Sequence, residues 1–168
     1  MKKNIPLAIY LLVELLVAAF IFSSVGTLPD FVVSHFRISG EPNGFMSHDA
    51  YVGFMLFTAI GIPALVVGTI PVLLRLAPGS INIPNRDYWL APAQRQATTR
   101  YLNGHMPWVG SLVSLFMGYV HWLIMQANSV QPPRLPGNQI FPGLGLFLAG
   151  VIVWSVLLLL RFGRLPKP

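Results

Sequence analysis

Histidine and carboxylate side chains concentrate between positions 30 and 49, where His35 and His48 stand among three acidic residues. The acidic residues are Asp30, Glu41 and Asp49. Imidazole and carboxylate groups are ligands that zinc and related metals use in proteins. The two histidines are thirteen residues apart, which does not match the ligand spacing of structural zinc sites. We therefore expect no metal site in this stretch.

Glu14 and His121 lie within long apolar segments of the sequence. A charge near the centre of a bilayer costs about 2.5–3.5 kcal/mol, so such residues usually face the interior of a helix bundle. At about 1.5 Å per residue, Glu14 would lie about 14 Å and His121 about 21 Å from the cytoplasmic ends of their helices. One interpretation is a Glu14–His121 pair that relays protons or contacts a ligand. The other, which we favour, is a protonated Glu14 bonded to backbone or Tyr10, with His121 bonded to a neighbouring helix.

No residue grouping typical of an enzyme stands out, whether a Ser-His-Asp pattern, a P-loop, a dinucleotide-binding fingerprint or a carboxylate pair. The chain has no cysteine, which excludes disulfides, thiolate catalysis and cysteine-ligated zinc or iron–sulfur sites. A haem with two axial histidines is not expected either, because His121 is the only well-buried candidate. The sequence therefore predicts a protein that is not an enzyme, with no catalytic residues, no metal and no cofactor.

The secondary structure that positions these polar residues can be predicted from the apolar composition of the chain. Of its 168 residues, 54% are hydrophobic and 10% are charged. A soluble domain usually has about a quarter of its residues charged. A helix needs about 20 apolar residues to cross the hydrocarbon core of a membrane. Four segments meet that requirement, at about 5–27, 51–76, 106–126 and 140–161. The predicted fold is an all-α membrane protein, a single domain over residues 1–168 with four transmembrane helices.

The positive charges predict how these helices are oriented. Nine of the eleven lysines and arginines fall on one side of the predicted spans, and Arg37 and Arg134 fall on the other. The nine are Lys2, Lys3, Arg75, Arg86, Arg95, Arg100, Arg161, Arg164 and Lys167. The positive-inside rule then places both termini and the 77–105 loop in the cytoplasm, and the 28–50 and 127–139 loops outside. Charges scattered beside apolar runs favour membrane lipid as a partner over nucleic acid.

The predicted outer loop 28–50 has the features of a compact, ordered segment. Residues 33–38 alternate in a way that suits an extended strand, and glycine, proline and asparagine then supply turn chemistry. Ser47 or Asp49 can cap the start of the second helix. The loop either covers the helix ends or recognises a peptide, lipid or protein partner. The candidate binding residues are His35, Phe36, Gly40, Glu41, Pro42, Asn43 and Gly44.

The predicted cytoplasmic loop has a second unusual segment at residues 84–92. Its polar and aromatic side chains suit either an anchor at the membrane interface or the docking of a partner. Those side chains are Asn85, Arg86, Asp87, Tyr88 and Trp89. A separate interfacial helix is predicted over 92–103, with Gly104 as its stop. Arg95 and Arg100 on this helix suit anionic headgroups.

Small residues and prolines predict how the helices pack. Gly110, Ser114 and Gly118 recur every four residues, which puts three small side chains on one face of the third helix. Such faces let helix backbones approach closely in a membrane. Pro63 and Pro71 each remove a backbone donor and predict kinks in the second helix.

Two sequence motifs resemble a bacterial membrane family of unknown function. The outer-loop motif consists of Leu28-Pro29, His35-Phe36 and Gly40-Glu41-Pro42-Asn43-Gly44. The second motif, over 83–92, is similar to the cytoplasmic segment of the stand-alone members. The same domain forms the N-terminal part of immunity proteins against the sporulation-delay toxin. The resemblance implies a multi-pass protein of the bacterial cytoplasmic (inner) membrane, with self-protection as one version of its function.

Two functions fit these observations. In the first, the 28–50 loop binds a ligand or partner outside the cell, and the 84–92 segment transmits the binding signal to the cytoplasm, as in immunity or sensing. In the second, the chain is an accessory subunit of a larger membrane complex or forms a homo-oligomer. Both functions are non-catalytic and both involve a protein partner or a membrane lipid.

Overall fold

The computed structural model describes residues 5–135 and 137–165, so the predicted topology signals Lys2, Lys3 and Lys167 lie outside the described residues. Four helical segments are long and apolar enough to cross a membrane, which confirms the four predicted spans. The segments are Ile5–Thr27, His48–Leu76, Pro92–Asn128 and Ile140–Phe162. The first consists of helix α1 (Ile5–Ser24) and a short 3₁₀ turn.

The second span is not one continuous α-helix. It consists of α2 (His48–Leu56), a π-helical turn (Phe57–Gly61) and α3 (Ile62–Leu76). The N–H of Ile62 bonds to the carbonyl of Phe57, five residues back, just before Pro63 enters the helix without a donor. Ser47 accepts a hydrogen bond from Ala50 N at 3.4 Å, which confirms the predicted N-cap.

One long helix replaces the two that the sequence predicts after α4 (Arg86–Trp89). Helix α5 (Pro92–Asn128) has 37 residues and runs without a break through Gly104. At 1.5 Å per residue it is about 55 Å long, well beyond the thickness of a hydrocarbon core. The prediction of a separate interfacial helix was wrong because glycine ends a helix only where the chain turns into the left-handed conformation.

Helix α5 is the centre of the bundle, with α1 and α3 packed along it and α6 (Ile140–Phe162) on another side. The predicted small-residue face is buried in this arrangement. A Cβ added to Gly110 would lie 2.8 Å from the Tyr10 ring and 2.7 Å from Val67, so both neighbouring helices approach the backbone here. Within the described helix α6, only Phe162 is fully buried; residues such as Phe147 are half-buried against α5, and the outward side is apolar and exposed.

A two-stranded antiparallel sheet joins the first two spans, so the fold is not purely α-helical as the sequence predicted. Strands β1 (Phe31–Phe36) and β2 (Pro42–Ser47) pair from Phe31 opposite Ser47 to Phe36 opposite Pro42, with an irregular register towards the turn. The predicted extended segment is thus one strand of a hairpin. Its partner was read as turn because Pro42, Asn43 and Gly44 all disfavour strands.

Two hydrophobic cores lie towards opposite ends of the bundle. The hairpin end, defined as β1, β2 and the 127–139 connector, rests on a core that includes Ile21, Val32 and Tyr51. The loop end, defined as residues 77–103 with the C-terminal turn of α6, has a separate core around Trp89 and Phe162. These two cores position all the candidate functional residues.

Candidate recognition site

The side chain of Asn128, in the last turn of α5, attaches the hairpin to the bundle. Its Oδ1 accepts from Val33 N at 2.9 Å, and its Nδ2 donates to Val33 O at 3.0 Å. The same Nδ2 lies 2.9 Å from Ile124 O. The buried amide therefore replaces a third strand for Val33, whose two backbone groups would otherwise lack partners in the interior. The hairpin is fixed to α5 at this point.

His48 holds the base of the hairpin to the 3₁₀ turn that follows α1. Its Nε2 lies 3.0 Å from Val25 O, and its backbone N–H donates to Asp30 O at 2.8 Å. His35 stands near the opposite end of the strand pair, where it is exposed and contacts Ser34 Oγ at 3.1 Å. Over residues 5–135 and 137–165, no three histidine or acidic side chains are grouped closely enough to hold a metal ion.

Several of the predicted binding residues shape the hairpin instead of lining a pocket. Gly40 has a φ of +83°, and its carbonyl accepts from Leu135 N at 3.0 Å. A Cβ on Gly40 would lie 2.1 Å from Leu135 O, so only glycine fits this contact. Gly44 lies under His35, with only 3.0 Å between its missing Cβ and that of His35. Phe36 packs against the core below.

The remaining predicted residues, together with three hydrophobic ones, form an exposed surface. Ile38 is 96% exposed, Phe31 73% and Phe45 65%. His35, Glu41 and Asn43 are exposed beside them, whereas Pro42 is half-buried. Phe31 lies at the base of the hairpin and Ile38 at its turn, so exposed hydrophobic side chains occur at both ends of the strand pair. The binding role of this region stays a prediction, and Phe31, Ile38 and Phe45 were not among the predicted residues.

A cavity of about 480 Å³ lies between the hairpin turn and the connector, where none was predicted. Its lining residues include Ser39, Gln126, Val130, Arg134, Leu135 and Gln139. Gln139 Oε1 is buried and has no hydrogen-bond partner among the residues that the structure describes. The sequence feature that could have indicated this cavity is Arg134, which stands between Gln126 and Gln139 and lies in a segment predicted to face outside.

Beneath the hairpin, His121 belongs to a chain of hydrogen bonds that satisfies both its nitrogens. Its Nε2 lies 2.8 Å from Ser24 Oγ, and its Nδ1 lies 2.8 Å from the Tyr51 hydroxyl. Ser24 has one hydrogen, and its Oγ lies 2.7 Å from Phe20 O. Because Ser24 donates its hydrogen to the Phe20 carbonyl, Ser24 Oγ accepts from His121 Nε2–H. The other nitrogen, His121 Nδ1, then accepts from the Tyr51 hydroxyl. This fully buried imidazole joins three helices, as the favoured interpretation predicts.

Glu14 lies elsewhere in the bundle and binds a different partner. Its Oε1 accepts from Ser114 Oγ at 2.6 Å, and Ser114 is seven residues from His121 along α5. Seven residues correspond to about 10 Å of helix. The structure therefore does not bring Glu14 and His121 together as a relay. Glu14 Oε2 is buried without a partner among the described residues.

Two of the predicted docking residues at the loop end, Asn85 and Trp89, bind the C-terminus of α6. We call this contact the clasp. Asn85 Nδ2 and Trp89 Nε1 each donate to the Phe162 carbonyl at 2.9 Å. Asn85 adopts the left-handed conformation with a φ of 51°, which turns its amide towards that carbonyl. Two side chains thus satisfy a helix-end carbonyl that has no partner within its own helix.

The other members of this set lie around the clasp. Tyr88 packs edge-on against Trp89. Arg86 donates to Gly79 O at 2.9 Å and lies 3.5 Å from the exposed carboxylate of Asp87. Asn85 and Trp89 are therefore occupied within the chain, and Asp87 is the most accessible residue of the predicted docking segment.

Comparison of the chain with protein-family models, with curated protein sequences and with solved structures gives no match. The family resemblance of the two loop motifs stays a prediction.

Proposed function

We propose that this chain is a non-catalytic membrane protein that recognises a protein partner through its hairpin end. The cavity beside the hairpin turn carries the proposal. It joins a charged guanidinium, Arg134, to the amides of Gln126 and Gln139, and it lies next to exposed Ile38. A partner segment with an acidic side chain would pair with Arg134, since arginine binds carboxylates with two parallel hydrogen bonds.

The hairpin is also preorganised for binding. Asn128, His48 and the Leu135–Gly40 hydrogen bond each tie it to a different part of the chain. A surface that is already ordered pays less conformational entropy when a partner binds. The exposed hydrophobic residues would then form the buried centre of the interface, with Arg134 at its edge.

The proposal places the hairpin end outside the cell and the loop end in the cytoplasm of a bacterium, as the charge bias predicts. Immunity or sensing is one version of this function, and the family resemblance favours it. Helix α5 would connect the two ends of such a sensor, because Asn128 near its C-terminus binds the hairpin and Thr98 near its N-terminus donates to the carbonyl of Trp89.

The proposal is tested by photo-crosslinking in the native membrane, with a crosslinking amino acid at Ile38. We expect a discrete crosslinked protein that is lost when Arg134→Gln is introduced. Arg37→Gln is the matched control, because Arg37 is exposed on the hairpin and does not line the cavity. A crosslinked band of equal strength in the Arg134→Gln and Arg37→Gln backgrounds would contradict the cavity as the recognition site.

The alternative function, an accessory subunit or homo-oligomer, is favoured by a separate observation on α6. This helix leaves an apolar groove of about 320 Å³ against α5, lined by residues that include Leu112, Phe116, Gly143 and Phe147. Close packing by a helix from another subunit would fill it. Native mass spectrometry in mild detergent tests this alternative. A stoichiometric complex that Leu146→Arg disrupts and Arg134→Gln leaves intact would favour the subunit function, since Leu146 lines the groove.

A further inference from the structure

Arg161, in the last turn of α6, lies over a platform of aromatic rings at the loop end. Its guanidinium carbon is 4.4 Å from the centre of the Trp89 ring, 5.6 Å from that of Tyr101 and 5.8 Å from that of Phe162. The clasp fixes this platform, because Trp89 Nε1 donates to the Phe162 carbonyl and the two rings meet edge to face. The cation is therefore held in place by groups that are themselves ordered.

The N–H groups of Arg161 are available for a ligand. Among the described arginine side chains, Arg86 and Arg95 donate to backbone carbonyls and Arg86 also lies beside a carboxylate, whereas Arg161 does neither. Arg161 is half-buried, but its nitrogens are not among the buried polar atoms without a partner, so they remain accessible. The guanidinium carries five N–H donors and is always charged in proteins. A fixed and accessible cation of this kind is suited to bind an anion.

The loop end has too few acidic side chains to neutralise its arginines. It contains four arginines and one acidic residue, Asp87. The Asp87 carboxylate lies 3.5 Å from the Arg86 side chain, so it is already paired. The described part of the loop end therefore supplies no carboxylate to Arg161, and its positive field favours an anion from outside the chain.

The position of Arg161 indicates which kind of anion fits. It stands in the last turn of an apolar span, and Leu157 lies one turn before it on the same side of the helix. Leu157 is 48% exposed, so an anion bound to Arg161 would have apolar helix surface beside it. A soluble anion makes no use of such a surface, whereas a phospholipid carries acyl chains next to its phosphate.

We propose that Arg161 binds the phosphate of an anionic phospholipid of the phosphatidylglycerol type. The guanidinium would donate to the phosphate oxygens, and the first acyl carbons would lie along Leu157. The headgroup would be one without a cation. Aromatic rings can hold an ammonium group over their faces, but Arg161 already lies over the Trp89 and Tyr101 rings, so a choline group would compete with it.

The test measures thermal unfolding of the full chain in detergent with added short-chain phosphatidylglycerol or phosphatidylcholine of equal acyl length. A ligand that binds only the folded state raises the unfolding temperature, and its affinity follows from the concentration dependence. We expect a larger increase with phosphatidylglycerol. Arg161→Gln should weaken phosphatidylglycerol binding about tenfold, since it removes a charged hydrogen-bond donor. Each variant is compared with its own unfolding temperature without lipid, so a loss of stability alone does not count as lost binding.

Arg75→Gln is the matched control. Arg75 also stands in the last turn of a spanning helix and is exposed, but it lies over none of the described aromatic rings. The control removes the same charge and should change phosphatidylglycerol affinity by less than about twofold. Arg161→Lys keeps the charge and the aliphatic stem but loses the planar guanidinium, and it should weaken binding about threefold. This variant decides the outcome if Arg161→Gln fails to fold.

Four results would overturn the proposal. The first is an equal response of the unmodified chain to the two lipids. The second is an equal loss of phosphatidylglycerol affinity in Arg161→Gln and Arg75→Gln, which would indicate diffuse attraction. The third is unchanged affinity in Arg161→Lys, since a charge without the planar guanidinium would then suffice. The fourth is an equal increase in unfolding temperature with glycerophosphate, which has no acyl chains, since the site would then bind a soluble phosphate ester.

Discussion

At both ends of the molecule, side chains pair with backbone groups, but the two ends differ in what surrounds these bonds. At the hairpin end, the Asn128 amide pairs with the backbone of Val33, and at the loop end Asn85 and Trp89 pair with the backbone of Phe162. The loop end then covers its bonds with aromatic rings, and Arg161 lies 4.4 Å above the Trp89 ring. The hairpin end leaves large hydrophobic residues and a cavity exposed. The side-chain to backbone bonds are therefore covered at the loop end, while the hairpin end also presents an exposed surface.

The largest expected effect is at the loop end. Trp89→Ala removes a buried ring, its hydrogen bond to Phe162 and its stacking with Arg161. We expect the free energy of unfolding in detergent to fall by about 3–5 kcal/mol. Trp108→Ala is the control, because Trp108 is 46% exposed and should cost about 1 kcal/mol or less. Similar losses in the two variants would show that the clasp does not stabilise the bundle.

A smaller and more local effect is expected from Asn128→Ala at the hairpin end. The change leaves the N–H and carbonyl of Val33 buried without partners, at a cost of about 1–3 kcal/mol each. Hydrogen exchange should become about tenfold to hundredfold faster for β1 amides, while amides around Trp89 are unaffected. Asn138→Ala, at an exposed asparagine of the connector, should change neither region. Faster exchange at both ends would mean that the two cores are not independent.

His121→Phe tests the buried hydrogen-bond chain below the hairpin. The substitution leaves the Tyr51 hydroxyl without its partner, and we expect a loss of about 1–3 kcal/mol in unfolding free energy. Adding Tyr51→Phe should recover part of that loss, because the unpaired hydroxyl is then removed. A double variant as destabilised as the sum of the two single variants would show that the Tyr51 hydroxyl and His121 are not coupled.

The smallest expected effect separates two arginines on one helix. Arg95→Gln removes a hydrogen bond to Leu74 and should lower the unfolding free energy by about 1 kcal/mol in lipid-free detergent. Arg100→Gln should change it by less than about 0.5 kcal/mol under the same conditions. Equal losses from both would show that the Arg95–Leu74 hydrogen bond does not stabilise the chain.

The sequence predicted some local features of the fold because their causes are local. Ser47 caps the second span since serine at that position accepts from the backbone of the first turn. Pro63 removes one hydrogen bond from its helix because proline always lacks a backbone donor. Gly104 was wrongly predicted to end a helix: glycine can adopt the conformation that ends a helix but need not do so, and α5 continues through it. The recognition cavity joins Ser39 to Arg134, which are far apart in the sequence, so no local pattern could reveal it.

The sequence by itself determined that four helical segments can cross a membrane, because span length and apolar composition are properties of each segment alone. It also determined where polar residues would need partners. Only the tertiary structure decided which partners they have: Ser114 for Glu14, Ser24 and Tyr51 for His121, and Phe162 for Trp89. The physical reason is that a buried polar group must be paired, while many partners on neighbouring helices could satisfy it until packing brings one within hydrogen-bond distance.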